Sequence, residues 1–539
     1  MKWKHFAASA VILVGLLASQ AHGQAKVIVG PQQQVNPNDQ QWQECSVAGR
    51  LADKDEVVVC AQGSDASGMY YAVSFDGGAN FEAHTLWSDG KDSGLTVDPV
   101  SDRIWISFFG GCSHPEQCVS VAWKDPNDSE FDPFYKAAYI TDRPLMAIDP
   151  GLGGSFPGRH YLLYSGMGGH HPVWAARSDD PTDPNQPLWT PVRVAPDPND
   201  PNIPASHYHG WGKMPVVLSD GRIAVVNTDY SGVYNDKLPY VVYSDDGGLD
   251  WKPDQLPPVK VAEGSAIQAA TRPPDVADTP GAIDRRHCAP AIAVDRTVTP
   301  NTDVYVAFYA RAEPGPLDED RNTDIYISRS SDRGETFPNP PDHLLQLTDD
   351  DLIGEPGGVS WPDQVMPALA IDGCGGVNVV FYDNRHDPNP ADDKDWYDLY
   401  YVRITDFDTG EPSIYQARLT PESFLVSEAP NFLGDYHHMA VAGPQQRTVY
   451  TAYIACPLLQ PGGPGSSPEW RNNCYLHQIR IFCLSDLNLD GDSDADDISL
   501  FTLAYEGQWE LADLNEDGAI DEQDYALFWD VYTNGCGAR

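Results

Sequence analysis

Cationic side chains are scarce in this chain: 34 Lys and Arg stand against 79 Asp and Glu, a formal net charge of −45 over 539 residues. That balance excludes general binding to nucleic acid or anionic membrane, because phosphate contacts need clustered cations. An anionic substrate would need a local cationic site to overcome the field. No CxxC pair occurs among the ten cysteines, so zinc-cluster spacing is missing too. The even cysteine count fits an oxidising compartment. Cys112 with Cys118, Cys456 with Cys474, and Cys483 with Cys536 are the expected pairs, though spacing does not fix connectivity.

Long apolar runs are absent after the N-terminus, where none approaches the roughly 20 residues of a spanning helix. The opening "MKWKHFAASAVILVGLLASQAHG" places Lys2 and Lys4 before a short apolar run and small residues, which predicts a secretory signal over 1–23. A secreted or cell-surface protein with no membrane span is expected. What the chain does have is 46 Gly, 46 Pro and 11% aromatic residues, the composition of many short strands joined by turns.

Repetition organises those strands. An apolar strand ending in Asp recurs as "GLTVDP" (94–99), "PLMAIDP" (144–150), "PVVLSDG" (215–221), "PAIAVD" (290–295) and "PALAIDG" (367–373). Weaker copies are "CSVAGR" (45–50) and "HMAVAG" (438–443). A second strand rich in β-branched and aromatic residues follows each copy, from "VVVCAQ" to "VYTAYI". Seven units of this kind predict an all-β, seven-bladed β-propeller over 27–484, with six blades as the alternative count.

A third element recurs as "VSFDGGANF", "YSDDGGLDW" and "RSSDRGETF". Its glycines suit positive φ in a tight hairpin, and its Asp can accept hydrogen bonds from nearby amides. Ser74–Phe81, Ser244–Trp251 and Ser330–Phe337 resemble the Asp-box, or bacterial neuraminidase repeat, of sialidase-like propellers, and Ser178-Asp179-Asp180 is similar to a decayed copy. The resemblance implies a propeller fold and structural, not catalytic, aspartates in these hairpins.

Composition shifts after Cys483. "DLNLDGDSDADD" (486–497) and "DLNEDGAIDEQD" (513–524) repeat one oxygen-rich spacing, and each leads into an apolar helical stretch. Asp486, Asn488, Asp490, Asp492, Asp494 and Asp497 are predicted to hold one Ca²⁺, with Asp492 acting through its carbonyl. Asp513, Asn515, Asp517, Ala519, Asp521 and Asp524 repeat the arrangement for a second Ca²⁺, with Ala519 in the carbonyl position. This 485–539 segment resembles a type I dockerin, which implies a calcium-folded module and a cohesin-like or cell-surface partner.

In a propeller the loops entering the innermost strands share a face with those between second and third strands. Nine of the 15 histidines fall in these loops: His114, His170, His171, His207, His209, His287, His386, His437 and His438. That enrichment points to a polar site at this mouth. The sialidase resemblance implies arginines for an anionic sugar, supplied by Arg143, Arg285, Arg286, Arg311 and Arg385. It implies a tyrosine nucleophile at Tyr436, with Asp363, Asp383 or Asp435 as acid; the Arg-Ile-Pro motif is missing.

Asp363, Asp435, Tyr436, His437 and His438 are therefore the candidate catalytic residues. Arg143, His207, His209, Arg285, Arg286, Arg311, Asp383 and Arg385 are candidate substrate contacts. Hydrolysis of anionic extracellular glycans is the leading expectation. A polysaccharide lyase using His, Tyr and Arg, a His207/His209/His437/His438 metal site, and a non-catalytic glycan- or protein-binding propeller remain open.

Overall fold

The computed structural model describes residues 21–536 except 23–24, 38–39, 64–67, 112–117, 133–134, 140–141, 155, 166–172, 183–188, 195–209, 230–238, 253–258, 262–267, 270–289, 298–302, 312–322, 338–343, 349–361, 389–394, 408–411, 427–432, 435, 457–471 and 516–517. Seven antiparallel sheets follow one another along the chain. Their innermost strands are Trp42–Gly49, Lys91–Val97, Asp142–Ile148, Gly210–Val217, Ala291–Val294, Gln364–Ile371 and His438–Ala442. Each innermost strand packs on the next, and the seventh packs on the first. The protein is a seven-bladed β-propeller. The seventh blade is completed from the other end of the chain: Ala25–Val29 pairs antiparallel with Asn473–Cys483, Lys26 facing Phe482.

The second strands explain the cohesion of the ring. Val57–Gly63, Val377–Asp383 and Thr448–Ala455 are buried along their whole length, because each sheet is covered by a neighbour on both faces. Continuous rather than alternating apolar residues are what such strands require. Each fully buried valine, such as Val59 or Val379, contributes roughly 1.5–3 kcal/mol relative to exposure.

The Asp that ends the first strand in five repeats has one local job. Asp98, Asp149, Asp220, Asp295 and Asp372 each accept a hydrogen bond from the amide two residues on, at 2.8–3.1 Å. This turns the chain into the second strand without an unsatisfied amide. The Ser-x-Asp hairpins are equally uniform. Ser74, Ser244 and Ser330 each donate to the Asp two residues on at 2.7–2.8 Å, and each accepts from a glycine amide at 2.9 Å. In the decayed copy the Asp180 amide donates to Ser178 Oγ at 3.2 Å.

The acidic pair in "YSDDGGLDW" divides its labour. Asp246 accepts from the Leu249 and Asp250 amides at 3.0 Å, closing its own hairpin. Asp245 reaches out to Arg222 at 2.6 Å and Arg333 at 3.2 Å. Arg222 also contacts Glu335, so this charge network pins the fourth blade to the fifth.

The C-terminal segment folds as two helices, Ala495–Glu506 and Glu522–Asn534. Phe501 and Phe528 stack at 4.0 Å between them. Asp494 and Asp521 cap the helices, with Asp497 and Asp524 completing capping boxes. The segment is joined to the propeller. Gln445 donates to Asp492 at 2.6 Å, Arg447 reaches the Gly491 carbonyl at 3.3 Å, and Val531 and Cys536 belong to the propeller's apolar cluster.

Cysteine pairing departs in part from expectation. Cys118 is disulfide-bonded, while Cys112 lies outside the described residues. The expected Cys456–Cys474 bond is not formed. Strand register sets Cys474 opposite Ile454 instead of Cys456, and its thiol contacts that of Cys45. Cys536 meets Cys483 as expected, and also Cys374.

Replacing Asp246 with Ala is expected to lower unfolding stability by about 1–2 kcal/mol, the cost of an uncapped turn. Urea unfolding followed by tryptophan fluorescence measures it; a change below about 0.3 kcal/mol would contradict the structural role.

Candidate functional site

A shared backbone irregularity builds the site. Near its entry end, the innermost strand of five blades loses register with the second strand: at Gln43/Ser46, Lys91/Ser93, Asp142/Leu145, Trp211/Met214 and Val365/Ala368. These are β-bulges, and a bulge re-aims side chains that regular pleating would send into the sheet. Glu44, Asp92, Arg143 and Met366 take positive φ there, at 54°, 45°, 50° and 54°. Non-glycine residues rarely adopt that conformation, and four at one level of a channel mark a built feature.

The bulges set polar groups around Tyr436. The Arg143 guanidinium lies 4.5 Å from the Tyr436 ring centroid, a cation–π contact. Tyr436 donates to the Ser93 carbonyl at 3.1 Å and packs beside His438 at 5.2 Å. Burial pushes the Tyr436 hydroxyl well above its ordinary value, and the charges of Glu44 and Asp92 push in the same direction. Arg143, Lys213, Tyr436, His437 and His438 line a small cavity of about 20 Å³, room for one water.

Both histidines are neutral. Burial lowers His437 to about 4, and burial with the Arg143 charge lowers His438 to about 3. His438 Nδ1 is 2.6 Å from Ser46 Oγ, which also accepts from the Leu95 amide. His437 stacks on Tyr382 at 4.9 Å and bonds the Met366 carbonyl through Nε2. Their remaining nitrogens, His437 Nδ1 and His438 Nε2, are buried with no hydrogen-bond partner.

The other expected residues sort differently. Asp383 is fully buried and holds Arg385 through both oxygens, while Arg385 stacks 4.2 Å over Tyr400. Asp363 accepts from the Thr323 amide at 3.1 Å and ties a turn, since its own amide bonds Asn384. Arg143, Tyr436, His437 and His438 are brought together; Asp363, Asp383 and Arg385 form a separate structural group. Asp435, His207, His209, Arg285, Arg286 and Asp517 lie outside the described residues, as does the side chain of Arg311.

Glu44 and Asp92 are the acids that sequence reasoning missed. Glu44, Asp92 and Arg143 stand at the same place in their repeats, each six residues before the strand-ending position held by Arg50, Asp98 and Asp149, and that alignment was the available signal. A larger cavity, about 650 Å³, opens at the opposite end of the channel, where the innermost strands exit. Aliphatic side chains such as Leu95, Ile148, Ile292 and Ile371 line it. Asp372 at its rim is committed to Arg403 at 2.8 Å, so the wall offers no acid pair.

In the C-terminal segment the two loops share a set of hydrogen bonds among their described residues. Gly491 and Gly518 amides donate to Asp486 and Asp513 at 3.0 Å, and Leu487 and Leu514 amides donate to Asp497 and Asp524 at 2.8 Å. Asp486 Oδ1 and Asp513 Oδ1 are buried without a hydrogen-bond partner. Burial, then the charge of Asp497, raises the Asp486 carboxyl to about 6. A buried orphan carboxylate oxygen at the first position of each loop fits a hard cation.

Neither protein-family models nor curated proteins give a match to this chain. Among solved structures, an α-L-arabinanase from Penicillium chrysogenum is 11% identical, with 83% of this chain and 98% of that chain covered at a TM-score of 0.39. An α-L-arabinofuranosidase from Fusarium graminearum is 9% identical, covering 86% and 99%, TM-score 0.38. An intramolecular trans-sialidase from Ruminococcus gnavus is 9% identical, covering 74% and 96%, TM-score 0.41.

His160 and His477 are also lowered to about 4 by burial. A histidine depressed in the fold favours the folded state above its unfolded value of about 6.5 and loses that contribution as pH falls toward the folded value. Unfolding stability is therefore expected to fall between pH 6.5 and about 4, by up to roughly 3 kcal/mol per histidine, lowering the melting temperature. Scanning calorimetry across that range checks it, and replacing His477 with Asn should flatten the slope.

Proposed function

We propose that this protein is a secreted glycan-active propeller that hydrolyses anionic extracellular glycans at its entry face. Glu44 and Asp92 act as the carboxyl groups, and Arg143 attracts the anionic substrate. The observation that carries this reading is the set of bulges at Glu44, Asp92 and Arg143, whose charges all bear on Tyr436, with Arg143 4.5 Å from its ring. Most glycoside hydrolases use a carboxyl pair flanking the scissile bond. Local positive charge is also required against a −45 background to admit an anionic sugar.

Tyr436 as nucleophile receives no support, because its hydroxyl is committed to Ser93 and harder to ionise than a free tyrosine. A lyase base at His437 or His438 is disfavoured for the opposite reason: imidazoles lowered to about 4 and 3 take up protons poorly near neutrality. The same burial favours a second reading, a non-catalytic glycan-binding propeller.

The two readings separate in one experiment. Glu44→Gln and Asp92→Asn are expected to lower kcat/KM on sialosides or uronic polysaccharides about 100-fold or more while retaining binding. Tyr436→Phe should change turnover less than about threefold. Binding across the panel with no turnover by the wild type removes the hydrolase reading and leaves the binding one.

We further propose that Asp486, Asn488, Asp490, Asp492, Asp494 and Asp497 hold one Ca²⁺, and Asp513, Asn515, Asp517, Ala519, Asp521 and Asp524 a second. Calcium neutralises clustered carboxylates that otherwise repel one another. The exposed Leu503, Trp509 and Tyr525 support a role in attachment to a cohesin-like or cell-surface partner. Calorimetric titration should find two sites. Asp486→Asn and Asp513→Asn should each weaken one by about tenfold or more, and chelation should reduce helical circular dichroism.

A further inference from the structure

Three sulfurs meet where the C-terminal helices dock on the propeller. Cys374 sits in the turn between the first two strands of the sixth blade, two residues beyond the rim aspartate Asp372. Cys483 ends the third strand of the seventh blade. Cys536 follows the last helix, swung back by Gly535 at φ 81°, a conformation that suits glycine. The three sulfurs lie within 4.8 Å of one another and all three residues are buried. Cys536 has Cα atoms 5.3 Å from Cys374 and 5.1 Å from Cys483, both inside the span a disulfide bridges.

One sulfur cannot bond to both. In the oxidised protein the cluster therefore holds one disulfide and one thiol, and the thiol stands next to the bond it can attack. We propose that Cys374, Cys483 and Cys536 form a disulfide-exchange site that sets how the C-terminal module is fastened to the propeller. The Cys483 thiolate attacks Cys536 Sγ of the Cys374–Cys536 bond. A Cys483–Cys536 bond forms, the Cys374–Cys536 bond breaks, and its electron pair leaves on Cys374, which takes up the proton that Cys483 lost. No net oxidation occurs, so no outside oxidant is needed for the swap.

The two bonded states differ in reach. Cys374–Cys536 closes a loop of sequence separation 162 and ties the module across the exit face to the sixth blade. Cys483–Cys536 closes a separation of 53 and ties the module only to the strand from which it emerges. In the first state the bond lies beside Asp372 and Gly373, which line the 650 Å³ cavity; in the second that turn is released. The site thus couples attachment of the module to the exit end of the channel. It stands apart from the glycan reading, since none of its residues belongs to the entry face.

The experiment uses the full-length protein purified without reductant and equilibrated in a mixed glutathione buffer. It is then acid-quenched, alkylated with N-ethylmaleimide and digested without reduction. Mass spectrometry is expected to find both Cys374–Cys536 and Cys483–Cys536 peptides in one preparation, each above about a tenth of the total and each accompanied by alkylation of the third cysteine. A single partner for Cys536 under every glutathione ratio overturns the proposal. So does bonding of Cys536 to another cysteine, or one zinc per chain with all three sulfurs open to alkylation. Cys374→Ser and Cys483→Ser should each collapse the mixture onto the remaining bond with an unchanged circular dichroism spectrum. If either variant fails to fold, the wild-type map decides.

Discussion

Pairing of Ala25–Val29 with Asn473–Cys483 is the constraint on which the rest depends. A propeller is a ring of sheets that touch only their neighbours, so an unclosed ring would expose one face of its first and last blades. Completing the seventh blade with a strand from the opposite end of the chain removes both free faces. It also completes a ring in which each innermost strand packs on the next. Every side chain that reaches the channel inherits its position from that closure. The bulged residues Glu44, Asp92 and Arg143 come from three separate blades, yet all three act electrostatically on Tyr436.

The channel has two chemically different ends because strand direction is the same in every blade. At the entry end the bulges interrupt the pleat, and charged or aromatic groups turn inward. At the exit end the strands are regular, aliphatic side chains share the lining with Arg296, Thr297, Gln445 and Gln446, and Asp372 is taken up by its turn and by Arg403. The third strand of each blade also runs toward the exit end. The Ser-x-Asp hairpins, the C-terminal module and the sulfur cluster therefore collect there, away from the proposed glycan site.

Much of this was legible in the residues. The five strand-ending aspartates gave the blade period, because an Asx turn needs that residue at that place. The Ser-x-Asp hairpins are structural, as their spacing implies: Asp246 closes its own turn, and Asp245 spends its charge on arginines of two blades. Among the described residues, the paired loops at 486–497 and 513–524 repeat hydrogen bonds at matching positions. In each case the interacting groups are within a few residues of one another, so spacing carries the geometry.

Other features had no local signature. Asp363 and Asp383 stand in the expected loops, but whether an acid faces a ligand or a turn depends on partners such as Thr323 and Arg385. Glu44 and Asp92 sit at strand bulges and act electrostatically on Tyr436, and a bulge is a mismatch between two strands, not a property of either. Cys374 and Cys536 are 162 residues apart and meet across two blades. The sequence by itself determined the repeat, the turns, the helical caps and the oxygen-rich loops, all of which are short-range chemistry. Only the tertiary structure decided which polar groups share the channel and which sulfurs share a site. Those juxtapositions arise from ring closure, which brings together residues distant along the chain.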